Sequence, residues 1–181
     1  MVVAAEIEAD VLKKSFKPII NNKTKVLILG SMPSEKSLEA NQYYAFKHNK
    51  FWKIMHKLIG VDEEQTYALR CEKLLQSGIG LWDVISTCER KGSLDSAIVM
   101  PKPNDFKTLL QKYNSLQAIC FNGQKAHTIF ARNFISKRSL NYLPELEKIA
   151  LHKLPSTSPA HASLKFEGKL KCWQIITQYL D

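Results

Sequence analysis

Four short apolar runs divide the chain: 25–29 (with Val26, Leu27, Ile28 and Leu29 unbroken), 79–84, 116–121 and 148–154. Each has strand length, and the first, with no polar interruption, reads as a strand buried on both faces. Between them the pattern lengthens to helical spacing. One helix is predicted over 51–59 and stops at Gly60. A second is predicted over 62–76, with Asp62-Glu63-Glu64-Gln65 as N-cap and capping box and Gly78 as its stop. Further helices are predicted over 104–113, 123–134 and roughly 164–180, and an opening helix over 4–16 is ended by Pro18 before the polar turn Asn21-Asn22-Lys23. The stretch 86–103 has no clean period and reads as a functional or connecting loop.

Strands alternating with helices imply right-handed crossovers and a sheet covered on both faces. The expected fold class is therefore α/β: a three-layer α/β/α sandwich around a mostly parallel, four-stranded central sheet. No repeat, low-complexity tract or linker divides the chain, so residues 1–181 read as a single domain, with 1–24 as a helical extension packed on it. Such a sheet brings the carboxyl ends of its strands to one rim, the usual place for a ligand. Four segments then meet: 30–49, 83–90, Asn122-Gly123 and 155–161.

Charge narrows the partner. The chain carries 26 Lys and Arg against 17 Asp and Glu, a net +9, which favours a polyanion such as nucleic acid; a solubilising lysine surface is the alternative. The four cysteines (Cys71, Cys88, Cys120 and Cys172) are widely spaced, with no C-x-x-C pair and no Cys/His grouping, which argues against zinc or an iron–sulfur cluster. No cofactor is expected. The first ten residues hold three acidic side chains and no basic ones, unlike a signal peptide, and no apolar run approaches membrane-spanning length. The expectation is a soluble monomer inside the cell, cytoplasmic (at the nucleoid) or nuclear, with no membrane partner.

Two loops carry candidate chemistry. After the first strand come Gly30-Ser31-Met32-Pro33, and then Gln42, Tyr43, Tyr44, His48, Asn49, Phe51 and Trp52 within eleven residues. Stacking surfaces, amides and lysines together suit a flat heterocycle on a charged backbone; aromatics packed back on the core are the plain alternative. After the fourth strand, Pro155-Ser156-Thr157-Ser158-Pro159-Ala160-His161 offers hydroxyls and backbone N–H groups near a helix start, a suitable phosphate clamp or, equally, a turn stiffened by two prolines.

Together these motifs resemble the uracil-DNA glycosylase superfamily, in particular its hypoxanthine-DNA (deoxyinosine) glycosylase branch, with mismatch-specific uracil-DNA glycosylases next. The run from Gly30 to Trp52 follows that branch's first motif without a gap. Gly80-Leu81-Trp82-Asp83-Val84, the stretch Cys88-Glu89-Arg90 through Gly92-Ser93-Leu94-Asp95, Phe121-Asn122-Gly123 and Ser156-Thr157-Ser158-Pro159-Ala160 also fit it. The resemblance implies flipping of a deaminated base (hypoxanthine, uracil or both) out of DNA and hydrolysis of its N-glycosidic bond to leave an abasic site. In much of the superfamily a carboxylate or amide before the motif-one proline handles the water. That position here is Met32, and the resemblance moves the role to Asn49, with Asn122 as a second polar residue by the base. Asp83 would hydrogen-bond the base edge or serve as acid/base. Gly30, Ser31, Met32, Tyr44 and Ser156 would bind the base, with Tyr44 stacking on it. Ser158, Pro159, Ala160, His161, Lys47 and Lys50 would contact the DNA. Asn49 is also a favoured helix cap, and Asn122 a common turn residue.

The chain departs from the branch at Ala45-Phe46-Lys47-His48-Asn49, where A-H-P-x-N is usual, and at Ser158-Pro159-Ala160-His161, where S-P-A-N is usual. Ala160 is too small to fill a vacated base stack, which leaves the adjacent His161 for that task. No lysine occupies a motif position as an obvious Schiff-base nucleophile, which favours a monofunctional enzyme, although Lys47 and Lys50 are near. These departures sustain a competing reading: a non-catalytic protein that recognises damaged or single-stranded DNA through the same pocket.

Overall fold

The computed structural model describes residues 12–180. A four-stranded parallel sheet forms the middle layer, built from β2 (Val26–Gly30), β3 (Ile79–Asp83), β6 (Ala118–Asn122) and β7 (Ala150–Leu154) in the order β3-β2-β6-β7. The pleat sorts its residues to two cores. Leu27 and Leu29 join Ile119 and Phe121 on one face, under α4 (Phe106–Lys112) and α5 (Gln124–Phe130). Val26 and Ile28 join Ile79, Leu81 and Cys120 on the other, under α2 (Phe51–Ile59), α3 (Tyr67–Gln76) and α6 (Phe166–Trp173). Burial on both faces explains why β2 reads as an unbroken apolar run. The expected sandwich and parallel sheet are what the chain forms.

Several elements differ from expectation for identifiable reasons. The opening helix predicted over 4–16 lies partly outside the described residues; within them Leu12–Lys14 is instead a strand, β1. It pairs antiparallel with β4 (Ile85–Glu89), which pairs with β5 (Val99–Pro103), so a second small sheet stands where a loop was expected over 86–103. Register irregularities between Ile85, Thr87 and Glu89 break the period-two signal that would have exposed those strands. Asp62 does not cap α3. Its Oδ1 accepts the Glu64 N–H at 3.0 Å to close a turn, and Thr66 caps the helix by accepting the Leu69 N–H. A short helix, α1 (Glu35–Ala40), interrupts the aromatic loop; Ser34 caps its start and Asn41, at φ 51°, its end. The helix predicted over 123–134 loosens into a π turn after Phe130, and the last helix tightens to 3₁₀ after Trp173.

Gly80 shows how the second sheet is attached. A Cβ there would lie 2.8 Å from the Ile19 carbonyl oxygen, and only its absence lets the incoming chain pair with Leu81. Among the described residues no helix is long and apolar enough to cross a membrane.

Candidate active site

The four strand-end segments do meet, around a cleft of about 460 Å³. Asp83 is at its floor, the last residue of β3 and in register with Gly30 of β2. A Cβ on Gly30 would sit 2.6 Å from Asp83 Oδ1, so the glycine exists to let the carboxyl group lie across the strand end. The backbone around it is fixed: Asn104 Nδ2 donates to the Asp83 carbonyl at 2.8 Å, and the Val84 N–H donates to the Gly30 carbonyl at 2.8 Å. Asp83 is 3% exposed and its Oδ2 has no hydrogen-bond partner. Burial pushes its carboxyl up to about 8; the Arg90 guanidinium opposes the rise and Asp95 adds to it. At neutral pH this is a protonated acid, with one O–H to donate and one oxygen free to accept.

A second layer braces that floor. Arg90, fully buried, donates from Nη2 to the Pro33 carbonyl, while its Nε and Nη1 make no hydrogen bond. Ser31 Oγ donates to Asp95 Oδ1 at 2.5 Å, and Ser93 Oγ accepts the Glu35 N–H at 2.9 Å. The segment 90–95 is thereby strapped to the turn that leaves β2.

Asn122 and Thr157 form the third side. Asn122 Nδ2 donates to Thr157 Oγ1 and its Oδ1 accepts the Thr157 N–H, both at 2.9 Å, and both residues are buried. This pair locks the end of β6 to the loop after β7. Gly123, at φ 101°, passes so close that a Cβ would meet Ser156 Cβ at 3.1 Å. The Lys50 N–H donates to the Thr157 carbonyl at 2.9 Å, bringing the start of α2 to the same loop.

Asn49 lines the cleft, and its Oδ1 accepts the Phe51 N–H at 2.9 Å. The N-cap of α2 is Lys50, so Asn49 closes an Asx turn one residue before it instead of capping the helix, and that bond fixes the orientation of its amide at the cleft. Tyr44, in the left-handed region at φ 56°, stacks one ring face on Phe51 with centroids 3.9 Å apart and planes 19° from parallel. Its buried hydroxyl has the Asn122 amide nearby but makes no bond of good geometry; burial, and then the Asp83 charge, push its ionisation well above the ordinary range.

The loop after β7 is internally satisfied. Ser156 Oγ accepts the Ser158 N–H at 3.2 Å and Ser158 Oγ accepts the Ala160 N–H at 3.3 Å, so these amides are less free for phosphate than the sequence suggests. From beneath, Lys169 of α6, 4% exposed, donates to the His161 carbonyl at 2.7 Å and to the Ser158 carbonyl at 3.4 Å. Burial and the Lys50 charge lower the pKa of Lys169. Trp173 Nε1 donates to the Pro155 carbonyl at 2.9 Å.

Of the residues singled out from sequence, Asp83, Asn49, Asn122, Gly30, Ser31, Met32, Tyr44, Ser156, Ser158, Ala160 and His161 line the cleft; Pro159, Lys47 and Lys50 do not. Arg90, Asp95, Thr157 and Lys169 were not singled out. Arg90, Asp95 and Thr157 lie within stretches that carry the family resemblance, but residue type alone gives them no role, and Lys169 is one of several charged residues in its helix. Among the described residues no group of three or more His, Cys, Asp or Glu could hold a metal ion.

Asp83, Asn49, Asn122 and Tyr44 thus share one cleft at the carboxyl rim of the parallel sheet. Residues 18–179 match the family profile described as the uracil DNA glycosylase superfamily, and the chain belongs to that superfamily. Among curated proteins it is similar to one named hypoxanthine DNA glycosylase from Methanosarcina acetivorans, 39% identical over 116 residues (64% of this chain and 73% of that protein). A second of the same name, from Methanosarcina barkeri, is 37% identical over 115 residues, covering 63% and 73%. Among solved structures it resembles the solution NMR structure of a candidate uracil DNA glycosylase from Methanosarcina acetivorans. The TM-score is 0.75 at 32% identity, covering 91% of this chain and 96% of that one.

Proposed function

We propose that this protein is a DNA glycosylase that takes a flipped hypoxanthine into the cleft and hydrolyses its N-glycosidic bond. The observation that carries the reading is Asp83: a buried carboxyl group with an unpartnered oxygen among the residues lining the cleft, where burial raises its pKa and so favours the neutral acid. A neutral acid presents a donor and an acceptor side by side. That pattern is complementary to the lactam edge of a deaminated base, hypoxanthine N1–H and O6 or uracil N3–H and O4, whereas an ionised carboxylate would repel the carbonyl. As the glycosidic bond breaks, negative charge spreads onto the departing base and positive charge onto the sugar. An O–H donor on the base carbonyl stabilises the first, and an oriented water captures the second.

Asn49, held by its bond to Phe51, orients that water through its remaining amide capacity. The free face of Tyr44 stacks on the base. Asn122 holds the loop after β7 against the pocket and offers its second N–H to the base. Lys50 and Lys169, close enough to influence each other and without a carboxylate salt bridge among the described residues, leave positive charge beneath the 156–161 loop for the DNA backbone. Hydrolysis needs no amine nucleophile; Lys125 is the lysine that lines the cleft, and borohydride trapping tests whether it forms a Schiff base.

The test is single-turnover incubation with oligonucleotides carrying one inosine or one uracil, followed by alkali to cut at abasic sites. Cleavage of the inosine strand that disappears in Asn49→Ala is expected. Salt-sensitive binding with no abasic product on either lesion would replace this reading with that of a non-catalytic lesion binder.

A further inference from the structure

Arg90 is a guanidinium group sealed inside the protein, 1% exposed. Burying such a charge without a carboxylate partner is costly, and among the described residues Arg90 has no salt bridge. Nη2 donates to the Pro33 carbonyl, while Nε and Nη1 have no hydrogen-bond partner. The strap over 90–95 brings this charge to the floor of the cleft. Pro33 and Ser31 belong to the turn that follows Gly30, and Ser31 Oγ donates to Asp95 Oδ1 at 2.5 Å. Gly30 is the residue across which the Asp83 carboxyl group lies, and Asp83 Oδ2 is likewise buried without a partner. Arg90 does not itself line the cleft, so it reaches a bound base only through Asp83. Its charge favours the ionised form of Asp83, and Asp95 opposes it. The Tyr43 and Tyr44 hydroxyls also feel Asp83, but burial pushes their ionisation well above the ordinary range and keeps them neutral.

We propose that Arg90 is a positioning residue for excision: a buried cation behind Asp83 that stabilises the negative charge gathering at the cleft floor as the base leaves. This rests on the glycosylase reading above. When the glycosidic bond breaks, its electron pair goes to the departing base, whose carbonyl pulls harder on the Asp83 O–H. A fixed positive charge behind that acid makes the O–H a stronger donor and lowers the barrier. The same charge brings forward the pH at which Asp83 ionises and stops donating. Arg90 therefore speeds excision and narrows its pH range together, and Asp95 limits the narrowing.

The experiment measures single-turnover inosine excision as a function of pH. Arg90→Met should slow the neutral plateau about tenfold and move the alkaline fall upward by about one unit. Arg90→Lys should recover most of the rate and keep the fall near the wild-type position. Asp95→Asn, which retains an oxygen for Ser31, should move the fall downward. A slower Arg90→Met whose fall stays in place would make Arg90 a brace for the Pro33 turn only and overturn the proposal. If Arg90→Met does not fold, an unmoved or raised fall in Asp95→Asn overturns it. If the wild-type protein excises nothing, the glycosylase reading itself falls. The coupling is then read from the Asp83 carboxyl carbon by NMR of protein labelled with carbon-13 aspartate, the signal being assigned by its loss in Asp83→Asn. A titration midpoint raised in Arg90→Met and lowered in Asp95→Asn supports a charge acting through Asp83; unchanged midpoints refute it.

Discussion

Asp83→Asn should make the protein more stable and less useful. The carboxyl group takes a proton near pH 8 in the folded chain, against an ordinary value of 3.8. Below about pH 4 both the folded and the unfolded chain hold that proton, and the group costs nothing. From there to pH 8 the folded chain keeps it while the unfolded chain releases it, so stability is lost as pH rises through this window and levels off above it. Each unit corresponds to 1.36 kcal/mol, so the gap of about three units at pH 7 amounts to about 4 kcal/mol for an unrelaxed site, and about 2–4 kcal/mol once local relaxation is allowed. Asparagine fills the same space beside Gly30 and never ionises. Urea unfolding at a series of pH values from 4 to 9 should therefore show the variant's advantage growing from near zero at pH 4 to that range at pH 7, with no further growth past about 8. A difference that stays flat from pH 5 to 8, or that turns against the variant as pH rises, would refute the buried neutral acid.

Gly30→Ala places a methyl carbon 2.6 Å from Asp83 Oδ1 and must expel the carboxyl group; excision should fall at least a hundredfold with a stability loss of about 1–3 kcal/mol, read by cleavage assay and denaturant titration. Asn49→Ala removes the bond to the Phe51 N–H as well as the water ligand, so it should abolish turnover, cost about 1 kcal/mol of stability, and leave DNA affinity within a few-fold. Full activity would refute the assignment of the water to Asn49. Tyr44→Ala should weaken binding of a base-flipped analogue by about 1–3 kcal/mol, whereas Tyr44→Phe, which deletes only an unbonded hydroxyl, should bind it as the wild type does; equal affinity in both would mean that Tyr44 serves only to cover Phe51.

The central sheet was legible because its strands are buried on both faces, and β2 announces this with four consecutive apolar residues that the pleat sends alternately to two cores. The convergence of the four strand-end segments followed from that topology, as did the placing of Asp83, Asn49 and Asn122 in one cleft. The small sheet was not legible, since bulges between Ile85 and Glu89 scramble its alternation. Nor was the start of α3, where Asp62 offers the chemistry of a cap but closes a turn instead. What each amide does could not be read from residue type. Asn49 and Asn122 are each drawn into bonds with backbone N–H groups, and Asn122 also bonds a hydroxyl, through partners fixed only by the folded chain. The protonated state of Asp83 depends on burial around it, with Arg90 and Asp95 seven and twelve residues downstream in sequence, a distance at which spacing carries no information.

The most direct test of the account is the rate of hypoxanthine release from an inosine-containing duplex under single-turnover conditions, measured from pH 6 to pH 10 by detecting the free base. With Asp83 acting as a neutral donor, the wild-type rate should hold level to about pH 8 and then fall roughly tenfold per unit, while Asp83→Asn should be slower at neutral pH and lack the alkaline fall. No release at any pH, or a wild-type rate that keeps rising through pH 10, would contradict it.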